Sequence, residues 1–238
     1  MKLWHLILGI SLIVSVVIAI ILLSFLRSQD SPTTDIRYLS SEILSTSFAY
    51  DQNLFLKTVS VKPDVNSEKS RVIVLPHHLL ASSLIYKGIL SLDIKDSKST
   101  IIILSPNHSN TSNCPISFSS SSWTTPYGDI KVNQNIQNKI SNQKELCEDN
   151  NAFKSEHGVA TILPYLKFQY PDIDIVPLIF NKNIPLSSLD ALSTKISEVL
   201  KDENVFLVSS LDFSHNLTSN QSAIKDSETK SFIKARDY

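Results

Sequence analysis

The chain has 238 residues, enough for one ordinary domain with an appendage. A net charge of −1, with acids and bases interspersed, gives no electrostatic footprint for nucleic acid, and 42% hydrophobic residues with only four glycines argue against a disordered chain. The two cysteines, Cys114 and Cys147, are too few for a disulfide scaffold; they permit one bridge without demanding it, and are read as free, buried thiols.

From Leu3 to Leu26 the sequence is almost wholly apolar, bracketed by Lys2 and Arg27. Such a run meets the roughly 20 apolar residues that cross a bilayer as a helix. It is too long for a cleaved signal and lacks an Ala-x-Ala site. Residues 1–27 are therefore expected to be an uncleaved, single-pass membrane anchor, with the body outside the cytoplasm. Residues 28–44 are expected to form a linker, polar over 28–35, and 45–238 are expected to fold as one domain.

A short helix is expected within residues 36–50, then a strand over 55–61 and a polar loop over 62–70. The pattern beyond that point is regular. It predicts a strand at 71–75, a helix at 79–92 and a strand at 100–105. Short strands at 116–118 and 130–132 flank the turn residues Thr125-Pro126-Tyr127-Gly128-Asp129. Helices follow at 133–143 and 156–168, a strand at 173–180, a helix at 186–201, a strand at 204–210 and a helix at 221–235. Strands alternating with helices define an α/β class: a mostly parallel central sheet with helices on both faces, here preceded by one transmembrane helix.

Five of the six histidines stand where a strand has just ended or a helix begins: His77, His78, His108, His157 and His215. In an open α/β sheet the carboxyl ends of the strands line one crevice, so residues distant in sequence can converge there. Pro76 cannot donate to a ladder and marks where pairing stops, so that either His77 or His78 turns into the crevice. Ser105-Pro106-Asn107-His108 repeats that arrangement, with Ser105 and Asn107 able to hold backbone groups or substrate oxygens. Glu156 and His157 open a helix. Asp212 and His215, three residues apart, can share one face of a turn, where the carboxylate can set the imidazole tautomer or act as a ligand itself. No phosphate loop, nucleophile elbow or His-Glu-x-x-His helix is present in the sequence. What remains is a His-rich, carboxylate-assisted metal or acid–base site, compatible with iron, copper or zinc.

The segments Val74-Leu75-Pro76-His77-His78, Leu104-Ser105-Pro106-Asn107-His108, Ser155-Glu156-His157-Gly158 with Leu163-Pro164-Tyr165, and Val208-Ser209-Ser210-Leu211-Asp212-Phe213-Ser214-His215 resemble the Memo family in order and spacing. The resemblance implies a fold similar to the LigB-like class III extradiol dioxygenases, and a crevice that binds iron or copper in preference to zinc. It implies His77 and His108 as metal ligands, with Glu156, His157, Asp212 and His215 around them as catalytic groups. His157 or His215 would serve as general base toward an unknown small-molecule substrate. It also implies AMMECR1-like and radical-SAM proteins as partners. The family domain is expected to continue beyond Tyr238, where the animal protein supplies a cysteine ligand that neither Cys114 nor Cys147 matches. A non-catalytic ligand- or protein-binding module on the same fold is the alternative, and a zinc hydrolase is a third reading.

Overall fold

The structure, a computed structural model, describes residues 43–61, 68–95 and 98–235. The expected membrane anchor at 1–27 lies outside the described residues, as does the linker up to residue 42. Among the described residues no helix is long and apolar enough to cross a membrane.

Among the described residues nine strands form the sheet: β1 (Leu44–Ser45), β2 (Val72–Leu75), β3 (Thr100–Pro106), β4 (Ile116–Phe118), β5 (Trp123–Thr125), β6 (Gly128–Val132), β7 (Leu146–Glu148), β8 (Asp174–Phe180) and β9 (Val205–Ser210). Their order is β1-β5-β6-β8-β3-β9-β2, with β4 paired to β8 and to β7. Six of the eight pairings are parallel. Ile101, Ile102 and Ile103 at the centre of β3 are all fully buried, as expected of a parallel strand covered on both faces.

The helices are α1 (Gln52–Ser60), α2 (Ser82–Leu90), α3 (Gln134–Ser141), α4 (His157–Ala160), α5 (Leu163–Gln169), α6 (Leu186–Val199) and α7 (Ser219–Ala235). Successive strand residues point to opposite faces, which divides the core in two. Ile101, Ile103, Phe206 and Val208 pack with Ile85 and Ile89 of α2 and with Leu163 and Leu166 of α5. Ile102, Val176 and Val205 pack with Ile136 and Ile140 of α3 and with Leu192 and Ile196 of α6. Helix α7 buries none of its residues.

Several local expectations are corrected. Residues 55–60 are helical, not extended, because Asp51 caps α1 by accepting from the Leu54 N–H at 2.9 Å. Phe55 and Val59 alternate as strand residues would, yet at a spacing of four they also share one helix face, and both pack on the core. The Phe55 ring lies 4.7 Å from Tyr127 and 4.6 Å from Tyr165, between centroids. The described part of 36–50 forms β1 and one 3-10 turn (Ser47–Ala49), since Leu44 N–H and Thr46 N–H donate to carbonyls of Ser122 and Thr124. The helix expected at 156–168 is two helices, because Pro164 near the start of α5 has no N–H to continue the first.

Cys114 and Cys147 are bonded rather than free, with Cα atoms 6.1 Å apart. Parallel pairing of β4 with β7, Ser117 opposite Cys147, brings these distant segments together. Replacing both cysteines with serine is expected to cost about 3–4 kcal/mol, the loop-closure entropy of a 33-residue separation, read as a lower urea midpoint.

Burial pushes the Tyr170 phenol up from 10.0 to about 12, and its hydroxyl donates to the Ile89 carbonyl at 3.1 Å. The unfolded chain therefore loses this proton first. The stabilising contribution is complete below pH 10 and disappears as pH rises through about 12. Alkaline titration of thermal stability should fall over that window, and Tyr170→Phe should fall less steeply.

Candidate metal centre

Three adjacent strands deliver their carboxyl ends to one place. The register sets Leu75 of β2 opposite Ser210 of β9, and Leu104 of β3 opposite Ser209. The backbone then leaves the sheet at Pro76, after Pro106 and at Leu211. The Leu211 N–H still donates to the Leu75 carbonyl at 2.8 Å, which keeps the β2 and β9 exits side by side.

The chain turns His77 inward and His78 outward. His77 is 2% exposed, whereas His78 is exposed and caps a 3-10 turn by accepting from the Leu80 N–H. The His77 backbone N–H donates to Asp212 Oδ1 at 3.1 Å, and its Nε2 lies 3.5 Å from Asp212 Oδ2. Asp212 thus holds the backbone of His77 and stands beside its ring.

His108 is held in the same manner by Glu156, which is 1% exposed. Glu156 Oε2 accepts the His108 backbone N–H at 2.9 Å, while Oε1 accepts from the ring Nδ1 at 2.6 Å and from the Gly158 N–H at 2.8 Å. Burial alone would raise the Glu156 carboxyl, but the hydrogen bonds from the His108 ring, the His108 backbone and Gly158 outweigh it and hold the group below the usual carboxylate range. The ionised carboxylate can only accept, so His108 carries its proton on Nδ1 and offers Nε2 as a lone pair.

Asn107 anchors this loop. Its N–H donates to the Phe180 carbonyl at 2.8 Å, its Oδ1 accepts from the Asn110 N–H, and its Nδ2 donates to Asn181 Oδ1 at 2.8 Å. Asn181 Nδ2 in turn donates to the carbonyls of Ser112 and Cys114. The expectation that Asn107 holds backbone groups is met.

His157, the first residue of α4, completes a cluster. Ring centroids lie 3.9 Å apart for His108 and His157, 4.9 Å for His77 and His108, and 5.3 Å for His77 and His157. One ligand atom from each of the three lies within 4.8 Å of the others, an arrangement that could hold a single metal ion. Burial lowers the pKa of His77, against an upward pull from Asp212, and the neighbouring imidazoles lower it further. Burial and then His108 lower His157 as well, against Glu156 and Asp212. Both rings therefore favour the neutral form that binds metals.

His215 is not in this cluster. It is exposed, its Nδ1 lies 3.1 Å from Asn216 Nδ2, and it lines the same cleft of about 580 Å³ as His77, His108 and Asp212. Leu104, Phe180 and Leu211 supply that cleft's apolar wall.

The structure thus defines a three-imidazole cluster at the carboxyl edge of an α/β sheet, braced by two carboxylates. The Memo family profile, described as Memo-like protein, matches residues 50–237, and the chain belongs to this family. Each of the following relatives bears the name MEMO1 family protein. One from Aquifex aeolicus is 32% identical over 158 residues, covering 63% of this chain and 41% of the relative. One from Thermotoga petrophila is 27% identical over 142 residues, covering 58% and 50%. One from Sulfurisphaera tokodaii is 23% identical over 189 residues, covering 76% and 66%. The chain therefore spans between 41% and 66% of the length of these relatives.

Two residues have roles that their motifs do not disclose. Gly158 follows Glu156-His157 because a Cβ there would stand 2.0 Å from Ser105 Oγ, 3.1 Å from Glu156 Oε1 and 3.3 Å from His108 Cε1. One of only four glycines directly after Glu-His was the available signal. Ser210 is the other, and nothing local distinguishes it from Ser209.

Glu156→Ala should destabilise the protein by about 2–3 kcal/mol, because buried donors of His108 and Gly158 lose their acceptor. Urea unfolding measures this. Glu156→Gln, which keeps the shape and one acceptor, should lose less.

Proposed function

We propose that this Memo-family chain is a membrane-anchored protein that binds one redox-active metal ion, iron or copper, at His77 and His108 with His157 as third donor. The observation that carries the reading is the convergence of three imidazole nitrogens within 4.8 Å, with the His108 Nδ1 already committed to Glu156. Unprotonated imidazole nitrogens gathered this closely repel one another, and a cation among them would relieve that repulsion. A carboxylate behind a ligating imidazole is the usual support of such a centre, fixing the tautomer and raising the basicity of the ligand. The apolar run at residues 3–26 supports the anchor. The Cys114–Cys147 bond supports a body exposed to an oxidising compartment.

As an enzyme it would be a non-haem oxidoreductase of the dioxygenase-like kind. The bound ion would supply Lewis acidity or electrons to an oxygenated substrate. The chain's own residues would do the rest. Leu104, Phe180 and Leu211 would exclude water from one side of the substrate. Asp212 would hold His77 in place, and His215 at the cleft wall would take or return a proton. With His157 close enough to join the ligands, the general base falls to His215.

A second reading, a non-catalytic binding module, is favoured by a different observation. A groove of about 500 Å³, with Val74, Leu84, Phe213 and Ile233 in its walls, lies between β2 and α7 and shares Asp212 and His215 with the metal cleft.

The discriminating experiment is reconstitution of the purified chain with Fe(II), Cu(II) and Zn(II), followed by desalting and elemental analysis. One equivalent of iron or copper is expected, and His77→Ala with His108→Ala should abolish it. A chain that retains no metal ion stoichiometrically overturns the metal reading. Retention of zinc alone, without oxygen consumption, overturns the redox assignment.

A further inference from the structure

The His77 ring is braced on its far side by a residue of neither carboxylate pair. Ser210 closes β9, is fully buried, and places its Oγ 3.1 Å from His77 Nδ1. The same Oγ donates its single proton to the Gly158 carbonyl. That carbonyl needs a donor because the helix breaks there: the Ile162 N–H, four residues on, bonds to the Val159 carbonyl instead. A hydroxyl that has given its proton to a carbonyl can only accept from its other neighbour. The His77 Nδ1 must then be the donor, and Nε2 is left as the lone pair that faces Asp212 and the cluster. With His77 only 2% exposed, little water competes for these bonds.

We propose that Ser210 is a positioning residue: its hydroxyl fixes the Nδ1–H tautomer of His77 and, through the Gly158 carbonyl, ties that ring to the helical turn that carries His157. The inference rests on the metal-site reading for its purpose, but not for its geometry. Ser210 does for His77 what Glu156 does for His108. The difference is that a neutral hydroxyl joins His77 to Gly158 where a charged carboxylate joins His108 to the same glycine. A merely space-filling serine would tolerate alanine, whereas this role requires an oxygen that donates one way and accepts the other.

The test uses the full chain with 15N-labelled histidine, at a pH where the imidazoles are neutral. Long-range 1H–15N correlation spectra of the metal-free protein should show His77 as the Nδ1–H tautomer. In Ser210→Ala the Nε2–H form should become populated, and Co(II) affinity, read from visible absorption, should fall by about 10–100-fold. Ser210→Thr, which keeps the hydroxyl, should restore both. An Nε2–H His77 in the wild-type chain overturns the proposal, even if the alanine variant fails to fold. Unchanged Co(II) affinity in Ser210→Ala overturns it too. If the wild-type chain takes up no Co(II), the metal reading has failed, and the His77 tautomer alone decides the role of Ser210.

Discussion

A buried carboxylate must find a donor for each exposed lone pair or give up its charge, and Glu156 solves this with three N–H groups from two elements. Two of them belong to His108 at the end of β3, and one to Gly158 in the first turn of α4. The same contacts that keep Glu156 ionised therefore fix where the β3 exit lies against α4. His108 and His157 sit on either side of that junction, with ring centroids 3.9 Å apart. Take the charge from Glu156 and the reason for these two rings to meet goes with it. The arrangement also explains why Gly158 carries no side chain, since a Cβ would press on Ser105 Oγ, on the carboxylate and on the His108 ring edge.

Much of the fold is readable in the amino-acid sequence. Buried runs such as Ile101-Ile102-Ile103 and Val205-Phe206-Leu207-Val208 are long, apolar and β-branched enough to declare a parallel sheet. Failures fell where a distant partner decides. A two-residue strand at Leu44 exists only because Ser122 and Thr124 offer it carbonyls, and no local pattern can announce that. Segment 55–60 carries both periodicities at once. What settles it is the Asp51 cap and an aromatic cluster whose members lie more than 70 residues away. The cysteine pair was unreadable for the same reason, because it depends on β4 lying beside β7.

The candidate site was legible to a greater depth in its imidazoles than in its supports. Strand–proline–histidine at 77 and 108, and Glu-His at 156–157, mark themselves by punctuation, and the structure brings these residues together. Asp212 was visible as an acid at a strand end. Its actual partner, however, is His77, 135 residues away, rather than His215 on its own turn. Sequence spacing suggested the nearer pairing; the parallel register of β2 with β9 produced the farther one. Ser210 belongs to the same motif as Asp212, but its role is hidden there, since serine beside serine at a strand terminus is unremarkable until one hydroxyl is seen between a ring and a carbonyl.

Pro76 has a second consequence, which concerns association between molecules rather than the site. Among the described residues β2 is an outer strand, paired only with β9, and Val72 and Val74 stand open on it. Bare rims of this kind can template cross-β stacking by foreign chains. Here the rim is four residues long and is stopped at once by an imide nitrogen that cannot extend a ladder. The kink that hands an imidazole to the interior thus doubles as a gatekeeper, denying an intruding strand the length it would need to take hold.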